Sequence, residues 1–152
     1  MLEFFWTKSK PELVVTQHSV SSPDLIQEVV IAAAPYSMVH ETGIRFTAEQ
    51  AVELIQKKVT GVFVECGVWK GGCSFAMLLA QRAYFGKIDR FVYMLDSFLG
   101  LPEVDDRDGP LAKAWQQGEQ PEKFFENCKV AEKELYENIK HFKFTTNECA
   151  VQ

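Results

Sequence analysis

The chain has 152 residues and a mass of 17.3 kDa, with 47% hydrophobic and 24% charged residues. It is long enough to bury the core of one domain without a metal or a disulfide. Its formal net charge of −5 argues against nucleic acid or an anionic membrane as the partner. No apolar stretch is long enough to cross a bilayer, and the N-terminus lacks the layout of a signal peptide. These features predict one cytoplasmic domain over residues 1–152.

Four cysteines stand at positions 66, 73, 128 and 149. They form no Cys-x-x-Cys motif and no cluster with the spacing of a zinc site. We therefore expect reduced thiols, with Cys66 and Cys73 as small apolar fillers of the core.

Residues 1–60 are predicted to form a helical N-terminal segment. Phe4, Phe5 and Trp6 indicate either a docking patch or a packed strand. A first helix begins at Ser22-Pro23-Asp24, where serine caps and proline fits the first turn, and it ends at Pro35. A second helix is predicted from Thr47, with Gln50 as capping-box partner, to Gly61.

Residues 61–152 are predicted to begin a Rossmann-like parallel sheet. A strand at 62–66, a glycine loop, a helix at 73–84 and a strand at 91–95 form one βαβ unit. The polar stretch 97–118 indicates a long loop or lid. Weaker patterns predict helices at 121–127 and 129–140 and a third strand at 143–146.

The segment Glu65-Cys-Gly67-Val-Trp-Lys-Gly71-Gly72, together with Asp96 after the next strand, predicts a nucleoside-cofactor site. Gly67 permits a sharp turn and the close approach of a ligand. Gly71 and Gly72 open a helix whose first N–H groups are free. Asp96 is placed to accept both hydroxyls of a ribose, at the sheet edge where open α/β folds bind ligands.

The spacing Gly-x-x-x-Gly matches neither the Gly-x-Gly-x-x-Gly of dinucleotide sites nor a Walker loop. S-adenosylmethionine suits such a loop better, with Glu65 reaching its amino group. Two alternatives remain open. The glycines could form only a tight strand-to-helix connection, and an NAD-dependent oxidoreductase is a weaker fit.

The strings FVECGVWKGG and YMLDSFLGLP resemble the macrocin O-methyltransferase family, whose members methylate sugar hydroxyls of macrolides and related natural products. The upstream PYSMVHETGIRF is similar to a segment of the same family, and the resemblance covers about residues 24–105. It implies a class I methyltransferase fold, S-adenosylmethionine as cofactor and a small sugar-bearing acceptor. The resemblance implies that Glu65 and Gly67 lie at the methionine end of the cofactor and that Asp96 binds the ribose, with Ser97 beside it. It also implies that Tyr36, Ser37 and Met38 cover the cofactor.

The chain also departs from that family. Strings of the form Asp-x-Asp-x-Tyr-Glu-Ser and Asp-Asp-Tyr, which the family associates with a divalent metal such as magnesium and with the acceptor, are absent. No metal ligand and no catalytic base is therefore assigned. We expect an incomplete fold that holds the donor-binding portion and is inactive alone, with an open sheet edge that favours self-association. The alternative is a non-catalytic nucleotide-binding or partner-docking remnant.

Three further features are given structural interpretations. The acidic run 105–109 fails the spacing of a calcium loop and is interpreted as a solvated turn. Trp69 is interpreted as a packing residue rather than an adenine stacker. A surface or capping role is expected for His40.

Overall fold

The computed structural model describes residues 3–5, 14–16, 22–117 and 128–152. Within these ranges, no helix is both long and apolar enough to cross a membrane. The elements in chain order are β1 (Glu3–Phe5), β2 (Val14–Thr16), α1 (Ser22–Ala33), α2 (Glu41–Gln56), β3 (Phe63–Cys66), α3 (Gly72–Phe85), β4 (Val92–Leu95), α4 (Gly109–Gln117), α5 (Glu132–His141) and β5 (Cys149–Val151), with 3-10 turns at Ala34–Tyr36 and Asp106–Asp108.

The main sheet is parallel and has the order β3–β4–β5. Its register pairs Phe63 with Val92 and Val92 with Cys149. Helix α3 connects β3 to β4 and packs against both strands, as well as against α1 and α2. The predicted βαβ unit and α/β class are thus confirmed. Strands β1 and β2 form a second, antiparallel pair, so Phe4 and Phe5 lie in a strand as one of the two interpretations expected. Trp6 lies outside the described residues, and the packing of this strand stays a prediction.

Helix α2 begins at Glu41, so the predicted start at Thr47 is wrong. His40 is the N-cap, because its Nδ1 accepts the Thr42 N–H at 3.3 Å. The Thr47 hydroxyl instead donates to the Gly43 carbonyl within the helix. The capping role expected for His40 is confirmed, and it gives the helix six more N-terminal residues than the sequence pattern predicts.

A lysine with a left-handed backbone stands two residues after the last residue of α2 and of α5, Lys58 with φ 56° and Lys143 with φ 57°. In each helix the N–H two residues after the C-cap bonds back to the third-last helical carbonyl, Val59 to Leu54 and Phe144 to Ile139. The predicted helix end at Gly61 is therefore wrong.

The same turn at Lys143 makes the predicted strand at 143–146 wrong, and the third strand lies at Cys149–Val151 instead. The helix predicted at 129–140 is confirmed as α5, with bounds shifted to Glu132–His141. The helix predicted at 121–127 lies outside the described residues.

The two faces of the sheet differ in burial. Phe63, Val92, Met94 and Cys149 are buried on the face toward α3. On the opposite face Val64 remains 52% exposed, and Tyr93 and Ala150 are only half-buried. Within the described ranges this second face is not covered by a helix.

The cysteines are all free thiols, as expected. The prediction that Cys66 fills the core is wrong, because strand alternation places it on the second face, where it is exposed. Cys73 is half-buried near Ser37 and Thr47.

The end of α3 is fastened to the start of β4 by Gln81, which is fully buried. Its amide donates to the Arg90 carbonyl at 2.9 Å and accepts the Arg90 N–H at 2.8 Å. Both backbone groups thereby gain a partner where the chain enters the sheet.

Replacing Gln81 with Leu keeps the volume but leaves the two Arg90 backbone groups unpaired. We expect a loss of about 2–6 kcal/mol in the free energy of unfolding, from about 1–3 kcal/mol for each of the two unpaired groups. Urea denaturation measures it, with the exposed-helix variant Gln56→Leu as the matched control. Equal stability of the two variants would contradict the fastening role.

Candidate functional site

The loop between β3 and α3 turns through three left-handed residues, Gly67 (φ 81°), Trp69 (φ 52°) and Gly71 (φ 100°). The Gly67 N–H donates to the Leu95 carbonyl at 2.8 Å, which joins the loop to the end of β4. A Cβ at Gly67 would meet no atom within 4 Å, so this glycine borders open space. The loop therefore presents free backbone surface at the carboxyl end of the sheet.

Asp96 anchors this loop. Its Oδ2 accepts the N–H groups of Val68 and Trp69 at 2.7 and 2.9 Å, and its Oδ1 accepts the Phe98 N–H at 2.8 Å. Partial burial acts to raise the pKa of this carboxyl, but the backbone hydrogen bonds outweigh it and hold the pKa below its usual value. These bonds occupy most of the roughly four acceptor positions of a carboxylate.

Glu65, at the end of β3, lies beneath the first turn of α3. Its Oε2 accepts the hydroxyl of Ser74. Burial raises the pKa of Glu65 above its usual value, the hydroxyl and N–H of Ser74 lower it, and the negative charge of Asp96 raises it further. The site thus holds two neighbouring carboxylates, of which Glu65 is the harder to ionise.

Tyr36 and Ser37 cross the N-terminus of α3. A Cβ on Gly72 would lie 2.4 Å from the Ser37 Cβ and 2.8 Å from the Tyr36 carbonyl oxygen. Only a glycine at position 72 therefore lets this segment pass so close to the helix. The Tyr36 ring packs edge-on against Phe75 and Phe142, with centroids 5.6 and 5.2 Å away.

The remaining predicted site residues are less enclosed. Met38 is 49% exposed. Ser97 is exposed, and its hydroxyl accepts the Leu99 N–H at 3.3 Å. The structure therefore brings Tyr36, Ser37 and Gly72 together, and hydrogen bonds join Asp96 to the loop after β3. Met38 and Ser97 are exposed at the margin of the site.

Helix α5 supports the loop from its outer side, which the sequence analysis did not anticipate. The Asn138 amide donates to the Lys70 carbonyl at 3.1 Å, and the Lys70 ammonium pairs with Glu134 at 2.8 Å. The same ammonium lies 4.9 Å from the centre of the Trp69 ring. Lys70 is thus engaged by protein groups. Asn138 and Lys70 are 68 residues apart along the chain, so no local sequence pattern indicates their contact.

The acidic turn stays outside this arrangement. Asp105 and Arg107 pair with each other, and Asp106 pairs with Lys113 at 2.5 Å. All four side chains are on the surface. Among the residues that the structure describes, no group of three or more His, Cys, Asp or Glu side chains is arranged to hold a metal ion.

The parallel sheet, the glycine loop after β3 and the carboxylates of Glu65 and Asp96 at the ends of β3 and β4 form the arrangement of the Rossmann-like methyltransferase class. The O-methyltransferase NovP has this fold: it superposes with a TM-score of 0.58 at 26% identity, over 76% of this chain and 46% of its own. The profile of the family "Macrocin-O-methyltransferase (TylF)" matches residues 8–151. The chain belongs to that family.

Two curated relatives match over shorter segments. A tetracenomycin 4'-O-methyltransferase of Streptomyces olivaceus, whose substrate name specifies a dimethoxy-rhamnosyl group, is 50% identical over 46 residues. The demethyldecarbamoylnovobiocin O-methyltransferase of Streptomyces niveus is 43% identical over 58 residues. These segments cover 30% and 38% of this chain but only 17% and 22% of the relatives.

The raised pKa of Glu65 has a consequence for stability. The native carboxyl holds its proton more tightly than the unfolded one, so stability falls as pH rises from the unfolded pKa through the native pKa. Glu65→Gln removes this ionisation. We expect the variant to melt higher than the wild type at pH 8, with the difference shrinking toward pH 4.

Glu53→Gln is the matched control, because hydrogen bonds from Lys57 and Gln50 lower the pKa of Glu53. Its ionisation stabilises the fold above the unfolded pKa, so this substitution should lower the melting temperature at pH 8. A pH-independent difference for Glu65→Gln would contradict the burial of its charge.

Proposed function

We propose that this chain forms the donor-binding part of an S-adenosylmethionine-dependent O-methyltransferase that acts on a sugar hydroxyl of a small natural product. The observation that carries the proposal is the loop after β3, which borders open space at Gly67, follows Glu65 and is hydrogen-bonded to Asp96. Family membership and the fold of NovP support the same reaction class.

The residues present suit this donor. Glu65 offers a carboxylate to the cationic amino group of the methionine moiety. A ribose hydroxyl would share the Asp96 carboxylate with the N–H groups of Phe98 and Ser97, while the bonds from Val68 and Trp69 hold the loop in place. Bound at this edge, the donor would supply an electrophilic methyl group, and the chain's own residues would bind and orient it.

The acceptor class rests on the relatives. The rhamnosyl group in the name of the Streptomyces olivaceus relative favours a glycosylated natural product as substrate. A base that takes the hydroxyl proton, and any divalent metal that orients the acceptor, are not assigned to residues here. The proposal therefore places donor binding in this chain and the completion of transfer in the remainder of such a fold.

Calorimetric titration of the purified chain with S-adenosylhomocysteine tests donor binding. Methyl transfer from labelled donor to a panel of glycosylated acceptors, with and without magnesium, tests the reaction. We expect saturable binding to the chain alone and no transfer above background. Transfer by these 152 residues would support the reaction class but place the missing base within them, whereas absence of binding would overturn the proposal.

Asp96→Ala removes the ribose acceptor together with the loop anchor, and we expect at least about tenfold weaker binding, since a hydrogen bond to a charged group contributes about 1.5–3 kcal/mol. A donor analogue without the ribose hydroxyls separates the two roles. It should bind more weakly than the parent to the wild type, and as tightly as the parent to the variant. Asp105→Ala, in the exposed turn, is the matched control, and equal affinity of both ligands for the wild type would contradict a ribose contact.

Gly72→Ala tests whether the segment 36–37 covers the donor. The new methyl group would force Ser37 and the Tyr36 carbonyl away from α3, so both the melting temperature and the donor affinity should fall. Gly86→Ala is the control, since Gly86 has φ 70° and no atom within 4 Å of a Cβ. It should lower only the melting temperature, and wild-type affinity in Gly72→Ala would place the segment outside the site.

A further inference from the structure

Ser74 is one of two fully buried polar residues among the described side chains; the other is Gln81, whose partners lie on Arg90. It occupies the first turn of α3, three positions after the N-cap Gly71. Its neighbours along the helix, Phe75 and Ala76, are buried and apolar. A buried hydroxyl in such surroundings is stable only with a hydrogen-bond partner, and its partner is Glu65.

We propose that Ser74 is a positioning residue: its hydroxyl fixes the Glu65 carboxylate in the orientation and charge state that receive the amino group of the donor. This inference rests on the proposed function and assigns a role to a residue outside the glycine motif. Ser74 itself does not touch the donor; it acts through its hydrogen bond to Glu65.

The geometry explains why Glu65 needs this support. The half-buried carboxyl lies beneath the first turn of α3, and its charged form is opposed by desolvation and by the negative charge of Asp96 after β4. Cys73, on the same turn, is the other titratable group that interacts with Glu65, and a thiol supplies no positive charge. The opposing contribution comes from Ser74, through its hydroxyl and its N–H at the positive end of the helix.

The direction of the effect follows from charge. An ammonium group binds the ionised carboxylate, so donor affinity falls as pH drops through the pKa of Glu65. Removal of the Ser74 hydroxyl leaves burial and Asp96 less opposed, and that pKa rises. The loss of affinity should then begin at a higher pH, which is a change that a purely space-filling serine would not produce.

The experiment compares S-adenosylhomocysteine affinity of the wild type and Ser74→Ala from pH 5 to pH 8.5 by calorimetry. We expect the variant to bind roughly fivefold more weakly near the wild-type midpoint, up to about tenfold more weakly below it, and to approach the wild type at pH 8.5, as an upward shift of about one pH unit requires. Ser74→Thr keeps the hydroxyl and should restore the wild-type profile. In a Glu65→Gln background, Ser74→Ala should change the affinity by less than about twofold at any pH.

A titration of the Glu65 side-chain carboxyl by carbon-13 NMR, without any donor, provides the second readout. The midpoint should move upward in Ser74→Ala and stay in place in Ser74→Thr. Unchanged midpoints, or an equal affinity loss in the Glu65→Gln background, would overturn the inference. If the wild type binds no donor, the proposed function fails, and the NMR midpoints alone decide whether Ser74 sets the charge of Glu65.

Discussion

The hydrogen bonds from backbone N–H groups to Asp96 are the contacts on which the arrangement of the site depends. One carboxylate at the end of β4 holds Val68 and Trp69, which belong to the loop after β3, and Phe98 of its own strand end. Trp69 adopts a left-handed backbone that side-chain-bearing residues rarely take, at a cost of about 1–3 kcal/mol. The charge-assisted bonds offset that cost, since each is stronger than a bond between neutral groups.

The loop is thereby held from two sides. Asp96 fixes its inner edge, and α5 fixes its outer edge through Asn138 and Glu134. The ion pair between Lys70 and Glu134 is partly exposed and contributes at most about 1 kcal/mol. The hydrogen bond from the Asn138 side-chain amide to the Lys70 carbonyl therefore defines the position of the loop more than the ion pair does. Donor binding would then use a loop that is ordered before the ligand arrives, which lowers the entropic cost of binding.

Sequence reasoning located the elements whose signals are local. The strand at residue 63, the glycine loop and Asp96 follow one another within 34 residues, and each has a residue type that the turn or strand requires. It failed where a residue acts outside its usual role. The start of α2 was assigned to Thr47 although His40 caps the helix, Lys58 rather than Gly61 takes the left-handed position after α2, and Lys143 takes that position where a strand was predicted. The hydrogen bond from Asn138 to the Lys70 carbonyl depends on tertiary packing, which no hydrophobic period or motif in the sequence indicates.

No helix of the described residues covers the second face of the sheet, and a cysteine on that face can report on its accessibility. Cys66 is exposed on that face, whereas burial raises the pKa of Cys149 to about 11 and also raises that of Cys73. Thiolate, the form that reacts with alkylating reagents, is correspondingly scarce at Cys73 and Cys149. Because Cys128 is a further free thiol that is only half-buried, alkylation has to be followed at Cys66 itself, where its rate reports whether another polypeptide layer lies against Val64 and its neighbours.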